Sequence, residues 1–133
     1  MDKPEKKIKQ FSGPAVIEKV SGKYAILARD LTYWDRLGRE HTAHKGFKTN
    51  GMSGGRIALA LIGCSPFGDG LRAFILHDLY WTHADDLPDR KDRLKLRKAS
   101  DKLLLEMLAV LGFCKIRRRI IYRAVRIASR FYK

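Results

Sequence analysis

LRAFILHDLYWTH, residues 71–83, is the stretch on which the fold of the chain turns. Leu71, Phe74, Ile75 and Leu79 share one face of a helix, at i, i+3, i+4 and i+8. His77 and Asp78 stand side by side in the middle of this apolar run, where titratable groups are expensive to bury. His77 shares a second face with Ala73, Tyr80 and Trp81, and Asp78 falls between Phe74, Ile75 and Trp81. Neither residue therefore has a clearly wet side.

On the N-terminal side of this helix the pattern is that of strands. AVIEKV (15–20) reads as a strand, SGK as a turn, and YAILARDLTYW (24–34) is rich in strand formers. DRLGRE turns at Gly38, and HTAHKGFKT pairs back as a further strand. TNGMSGGR (49–56) is a glycine-rich loop, and IALALIGC (57–64) reads as a short buried helix. On the C-terminal side a second helix is expected from about Leu94 to Leu111, closed by Gly112, and a third from about Lys115 to Phe131. The expectation is an α+β fold: an N-terminal antiparallel β meander, then three or four helices. Residues 11–133 would form one domain behind a flexible basic arm, residues 1–10.

A chain of 133 residues can bury about two-thirds of its unfolded surface, so its core needs no staples. Lys and Arg total 28 against 14 Asp and Glu, a net +14 that favours anionic partners. Cys64 and Cys114 are too few for a disulfide framework and lack metal-site spacing; they read as two buried reduced thiols. The run 57–64 is too short to span a bilayer, and MDKPEKKIKQ has no apolar signal core. A cytoplasmic protein with no transmembrane segment is expected. His41 and His44 lack the carboxylate or cysteine neighbours of a metal site and read as surface histidines; Trp34 and Trp81 read as packing residues.

The second helix carries Asp101 in line with Leu104, Leu105, Leu108 and Leu111. A buried carboxylate needs a partner. Arg97, one turn earlier, is a local choice; His77 on the preceding helix is another. An aspartate accepting one imidazole N–H fixes the tautomer and leaves the other ring nitrogen as a base. Asp78 could then ligate a hard cation with carbonyls of the 50–55 loop. The same His–Asp contact would also form if two core polar residues simply satisfied one another.

Two resemblances attach to these residues. From about residue 24 to 128 the chain resembles an uncharacterised bacteriophage and prophage family of unknown function. The matching positions are Gly46, Phe47, Thr49 and Ser53, then His77, Asp78, Leu79 and Tyr80, then Arg97, Asp101, Met107, Tyr122, Ala124, Val125 and Arg126. Asn50 stands where that pattern has Asp, and Ser100 where it has Ala. The resemblance implies a phage-encoded protein, in the host cytoplasm or with the virion. The two middle helices also resemble the catalytic core of phospholipase A2, through His-Asp-x-x-Tyr and an Asp on the next helix. That resemblance implies His77 as general base, Asp101 as its orienting partner and Tyr80 as a supporting hydrogen-bonder. It further implies calcium held by Asp78 with the carbonyls of Gly51 and Gly54. The disulfides of the secreted enzymes are absent, and NGMSGG is like their calcium loop only in glycine content.

KIRRRIIYRAVRIASRFYK closes the chain. Ile116, Ile120, Ala124, Ile127 and Phe131 form an apolar stripe, and Arg119, Arg123, Arg126 and Arg130 a basic one. The basic stripe fits a solvated helix face, or a footprint for nucleic acid, an acidic protein surface or phospholipid headgroups. Two functions are therefore expected to compete. One is a calcium-assisted, phospholipase A2-like ester hydrolase. The other is a non-catalytic phage accessory protein that binds a host factor, a host-defence protein or nucleic acid through its basic surface.

Overall fold

A computed structural model of the chain describes residues 10–13, 15–21, 24–49 and 70–131. The expected arm up to residue 9, the loop carrying Asn50, Gly51 and Gly54, and the short helix at 57–64 with Cys64 lie outside the described residues.

The strands are β1 (Ile17–Ser21), β2 (Tyr24–Leu27), β3 (Leu31–Trp34), β4 (Glu40–Ala43) and β5 (Lys48–Thr49), and the helices α1 (Leu71–Asp85), α2 (Arg90–Val110) and α3 (Lys115–Phe131). All strand pairs are antiparallel, and the arrangement is α+β. The meander is divided into two small sheets, β1-β2-β5 and β3-β4. The run 24–34 is not one strand, because residues 28–30 separate β2 from β3. The run 41–49 divides at Gly46, whose φ of +91° suits glycine alone, and β5 returns to β2. Strand propensity marks both runs as extended but carries no information about which neighbour each half will pair with.

In the β3–β4 hairpin Leu31 pairs with Ala43 and Tyr33 with His41. Leu31, Tyr33 and Ala43 are buried, while the alternate residues Thr32 and Thr42 meet through their hydroxyls at 2.8 Å. Phe11 bridges to Tyr33 and packs ring to ring with it at 4.7 Å. The hairpin is joined to the helices by the Tyr33 hydroxyl, which donates to Glu106 of α2.

Helix α1 touches β4 and β5 and packs against α2, which in turn packs against α3. That central position explains the missing wet side of 71–83: every residue from Ala73 to Leu79 is buried. Phe74, Ile75 and Leu76 of α1, Leu104, Met107 and Leu108 of α2, and Ile121 and Val125 of α3 join Leu27, Leu31 and Tyr33 in one core. Each such side chain contributes about 1.5–3 kcal/mol of transfer free energy.

Helix α2 begins at Arg90, a turn before the expected Leu94. Asp89 caps it by accepting the Lys91 N–H at 2.9 Å, just after Pro88. It ends as expected at Gly112, with φ of +92°. Helix α3 has the expected bounds, but the apolar stripe read from its sequence is not the face that is buried. Ile121, Val125 and Ser129 are buried, whereas Ile116, Ile120 and Ile127 are 72%, 40% and 55% exposed. The helix carries apolar residues on two sides, and tertiary packing rather than periodicity chooses between them. Cys114 is exposed rather than buried, since it falls in the turn after Phe113, whose ring takes the core position.

Candidate functional site

The short connection after α1 folds α2 back against it and brings His77 to Asp101. The His77 Nε2–H donates to Asp101 Oδ1 at 2.6 Å, with both side chains fully buried. Trp81, one turn beyond His77, donates its indole N–H to the same oxygen at 3.0 Å. The other oxygen, Oδ2, accepts from Arg126 of α3 at 2.8 Å. All three helices thus converge on one carboxylate, and the guanidinium balances its charge.

Arg97, the alternative partner within α2, is not used here. It is buried, donates to Asp85 at 2.7 Å and lies over the Trp81 ring at 5.5 Å.

A carboxylate between three donors can only accept, so the proton of a neutral His77 sits on Nε2 and Nδ1 carries the lone pair. His77 Nδ1 is buried and has no hydrogen-bond partner among the described residues. Such an atom is unusual, because a lost hydrogen bond at a buried polar group costs about 1–3 kcal/mol. The arrangement can hold an imidazole rigidly with the lone pair of Nδ1 free of any partner among the described residues.

Tyr80 is not part of this cluster. Its hydroxyl lies 2.6 Å from His41 Nδ1, on the hairpin side of α1. The supporting hydrogen bond expected of Tyr80 comes from Trp81, because a residue four positions on stands above His77 on the same face. Asp78 is buried beside the pair and already engaged in an interaction of its own. No group of three His, Cys, Asp or Glu side chains that could hold a metal occurs among the described residues, and of the expected calcium ligands these include Asp78 alone, since Gly51 and Gly54 lie outside them. Of the expected basic stripe, Arg126 reaches inward to Asp101 with its side chain 30% exposed, while Arg119, Arg123 and Arg130 are exposed.

A second polar chain, not foreseen from the sequence, ties the hairpin to α1. Asp35 Oδ2 accepts from His41 Nε2 and from Arg39 Nε, both at 2.9 Å, while Oδ1 accepts the N–H groups of Leu37 and Arg39. His41, expected at the surface, is in fact mostly enclosed, with its Nδ1 accepting the Tyr80 hydroxyl. Burial pushes the Asp35 carboxyl up, but the donors from His41, Arg39 and Leu37 outweigh it and hold the group well below the usual carboxylate range. Burial also pushes the Tyr80 hydroxyl up, helped by the Asp35 charge. No local signal announces this chain, since its members lie 6 and 39 residues apart. His44 is exposed as expected and faces Asp30 at 3.4 Å.

Residues 25–125 match a family model described as "Protein of unknown function (DUF1353)", and the chain belongs to that family. The match takes in β2 to most of α3, and with them His77, Trp81, Asp101 and Asp35. No curated protein matches the chain. No solved structure matches it either.

Proposed function

We propose that the protein is an ester hydrolase in which His77 is the general base, acting on phospholipid, and that it is phage-encoded. The observation that carries this reading is the buried Nδ1 of His77, without a hydrogen-bond partner among the described residues, on a ring whose other nitrogen is fixed by Asp101. The likeness of the motif to phospholipase A2 supports the substrate class, and the likeness to phage and prophage proteins supports the origin and a place in the host cytoplasm or with the virion.

In this mechanism Nδ1 takes a proton from water as the water oxygen attacks the ester carbonyl. The imidazolium formed donates through Nε2 to Asp101, whose carboxylate is held in place by Trp81 and Arg126. The C–O bond of the tetrahedral adduct then breaks, and the proton on Nδ1 passes to the leaving alkoxide. Calcium, held through Asp78 with loop carbonyls, would polarise the ester carbonyl when bound.

The reading is tested by hydrolysis of phospholipid in mixed micelles, with the fold checked by circular dichroism. His77→Ala should lower the rate by about 10²- to 10⁴-fold while the helices persist. Removal of calcium should lower it as well. A folded wild-type protein without turnover, or a His77→Ala variant that retains it, would contradict the proposal. The second reading, a non-catalytic accessory protein binding an acidic protein surface, a phospholipid headgroup or nucleic acid, rests on the basic character of α2 and α3. It predicts that His77→Ala lowers only the melting temperature.

A further inference from the structure

Between α2 and α3 runs a groove of about 500 Å³, lined by Arg90, Lys91, Lys95 and Lys98 on one side and by Arg126 and Arg130 on the other. No carboxylate lines it. Lys91, Lys95 and Lys98 share one face of α2 at i, i+4 and i+7. Elsewhere among the described residues some cations are paired: Arg39 with Asp35, Arg97 with Asp85, Arg36 with Glu106. In the groove, Arg90, Lys91, Lys95, Lys98 and Arg130 have no ion-pair partner among the described residues. Like charges at i, i+4 oppose helix formation. Their concentration in a concave site is explained by an anion that neutralises them.

We propose that this groove binds a phosphate group, and that Arg126 couples its occupancy to the His77–Asp101 pair. A phosphate monoester carries about 1.5 to 2 negative charges and several strong acceptor oxygens, which suits a site with many donors and no carboxylate of its own. The groove has the volume of a small-ligand site. Arg126 lines it while its NH1 is engaged with Asp101 at 2.8 Å. A guanidinium has five N–H donors in a planar fork, so one edge holds Asp101 while the other is presented to the groove. An anion that fixes Arg126 also fixes the carboxylate that holds His77, and by linkage the ordered pair favours the anion. Arg119 and Arg123, on the same stripe of α3, do not line the groove and take no part. The inference does not require His77 to be catalytic; the imidazole serves here as a reporter.

The test is a titration of the intact protein with inorganic phosphate, followed by calorimetry and by the ring resonances of His77. Saturable binding is expected, with the His77 signals shifting at the same midpoint. Lys91→Gln/Lys95→Gln/Lys98→Gln should weaken binding by about tenfold or more, and Arg119→Gln/Arg123→Gln should leave it unchanged. Parallel titrations with vesicles of phosphatidic acid and of phosphatidylcholine name the source: response to the acidic vesicles alone, without inorganic phosphate, assigns the phosphate to a lipid headgroup. Equal weakening by the two variants, binding to an oligonucleotide alone, or phosphate binding that leaves His77 unmoved would overturn the proposal.

Discussion

At the scale of the residue, Asp101 decides how His77 behaves. Its two oxygens serve three donors from the two neighbouring helices, and removing it would leave His77, Trp81 and Arg126 facing an empty acceptor site. Asp101→Ala is expected to destabilise the protein by about 3–5 kcal/mol, read from urea unfolding. Trp81→Phe keeps the ring packing but drops the N–H, and should cost about 1 kcal/mol. Asp35 gives a prediction in pH. Its folded-state pKa is depressed, so its contribution is in place above the ordinary carboxylate value of 3.8 and disappears as pH falls from there through the lower folded value. The stability advantage of wild type over Asp35→Asn should therefore shrink on acidification below that point; an advantage independent of pH would exclude the mechanism. The contact of His77 with Asp101 was legible in the sequence, because both lie in apolar helical stretches joined by a short polar connection. Trp81 was read only as a packing residue and the supporting bond was assigned to Tyr80 through the resemblance to phospholipase A2, whereas the indole N–H makes it and Tyr80 turns to His41. Arg126 was legible as a position in the motif but not as a partner of Asp101, since its spacing groups it with Arg119, Arg123 and Arg130 on a basic stripe.

At the scale of the element, helix ends were more legible than strand partners. Gly112, with its positive φ, closes α2 where the sequence marks it, while α2 starts early because Asp89 supplies a cap directly after Pro88. The start of α1 is set by packing. A methyl group added at Gly70 would lie 2.7 Å from the Phe74 ring and 3.2 Å from Phe113, and both rings are buried. Gly70→Ala should cost about 1–3 kcal/mol through overpacking, measured as a lowered urea midpoint with unchanged slope. Division of the meander into two sheets was illegible, since a two-residue strand such as β5 has no pattern to read. The inner face of α3 was illegible for a related reason. Its sequence offers two apolar sides, and the one that turns inward is the side that lets Arg126 reach Asp101.

At the scale of the whole molecule, the excess of 28 basic over 14 acidic residues is unevenly distributed. Several cations are paired internally, and five without an ion-pair partner among the described residues line the groove where α2 meets α3, one guanidinium away from the buried pair. Among the described residues no helix is long and apolar enough to cross a membrane. The hydrolytic reading depends on a single atomic fact, the lone pair of His77 Nδ1. A long-range ¹H–¹⁵N correlation spectrum of the folded protein at neutral pH assigns the ring proton directly. The account predicts the proton on Nε2 and an unprotonated Nδ1, lost as a fixed tautomer in Asp101→Asn; a proton on Nδ1 in the wild-type protein would contradict it.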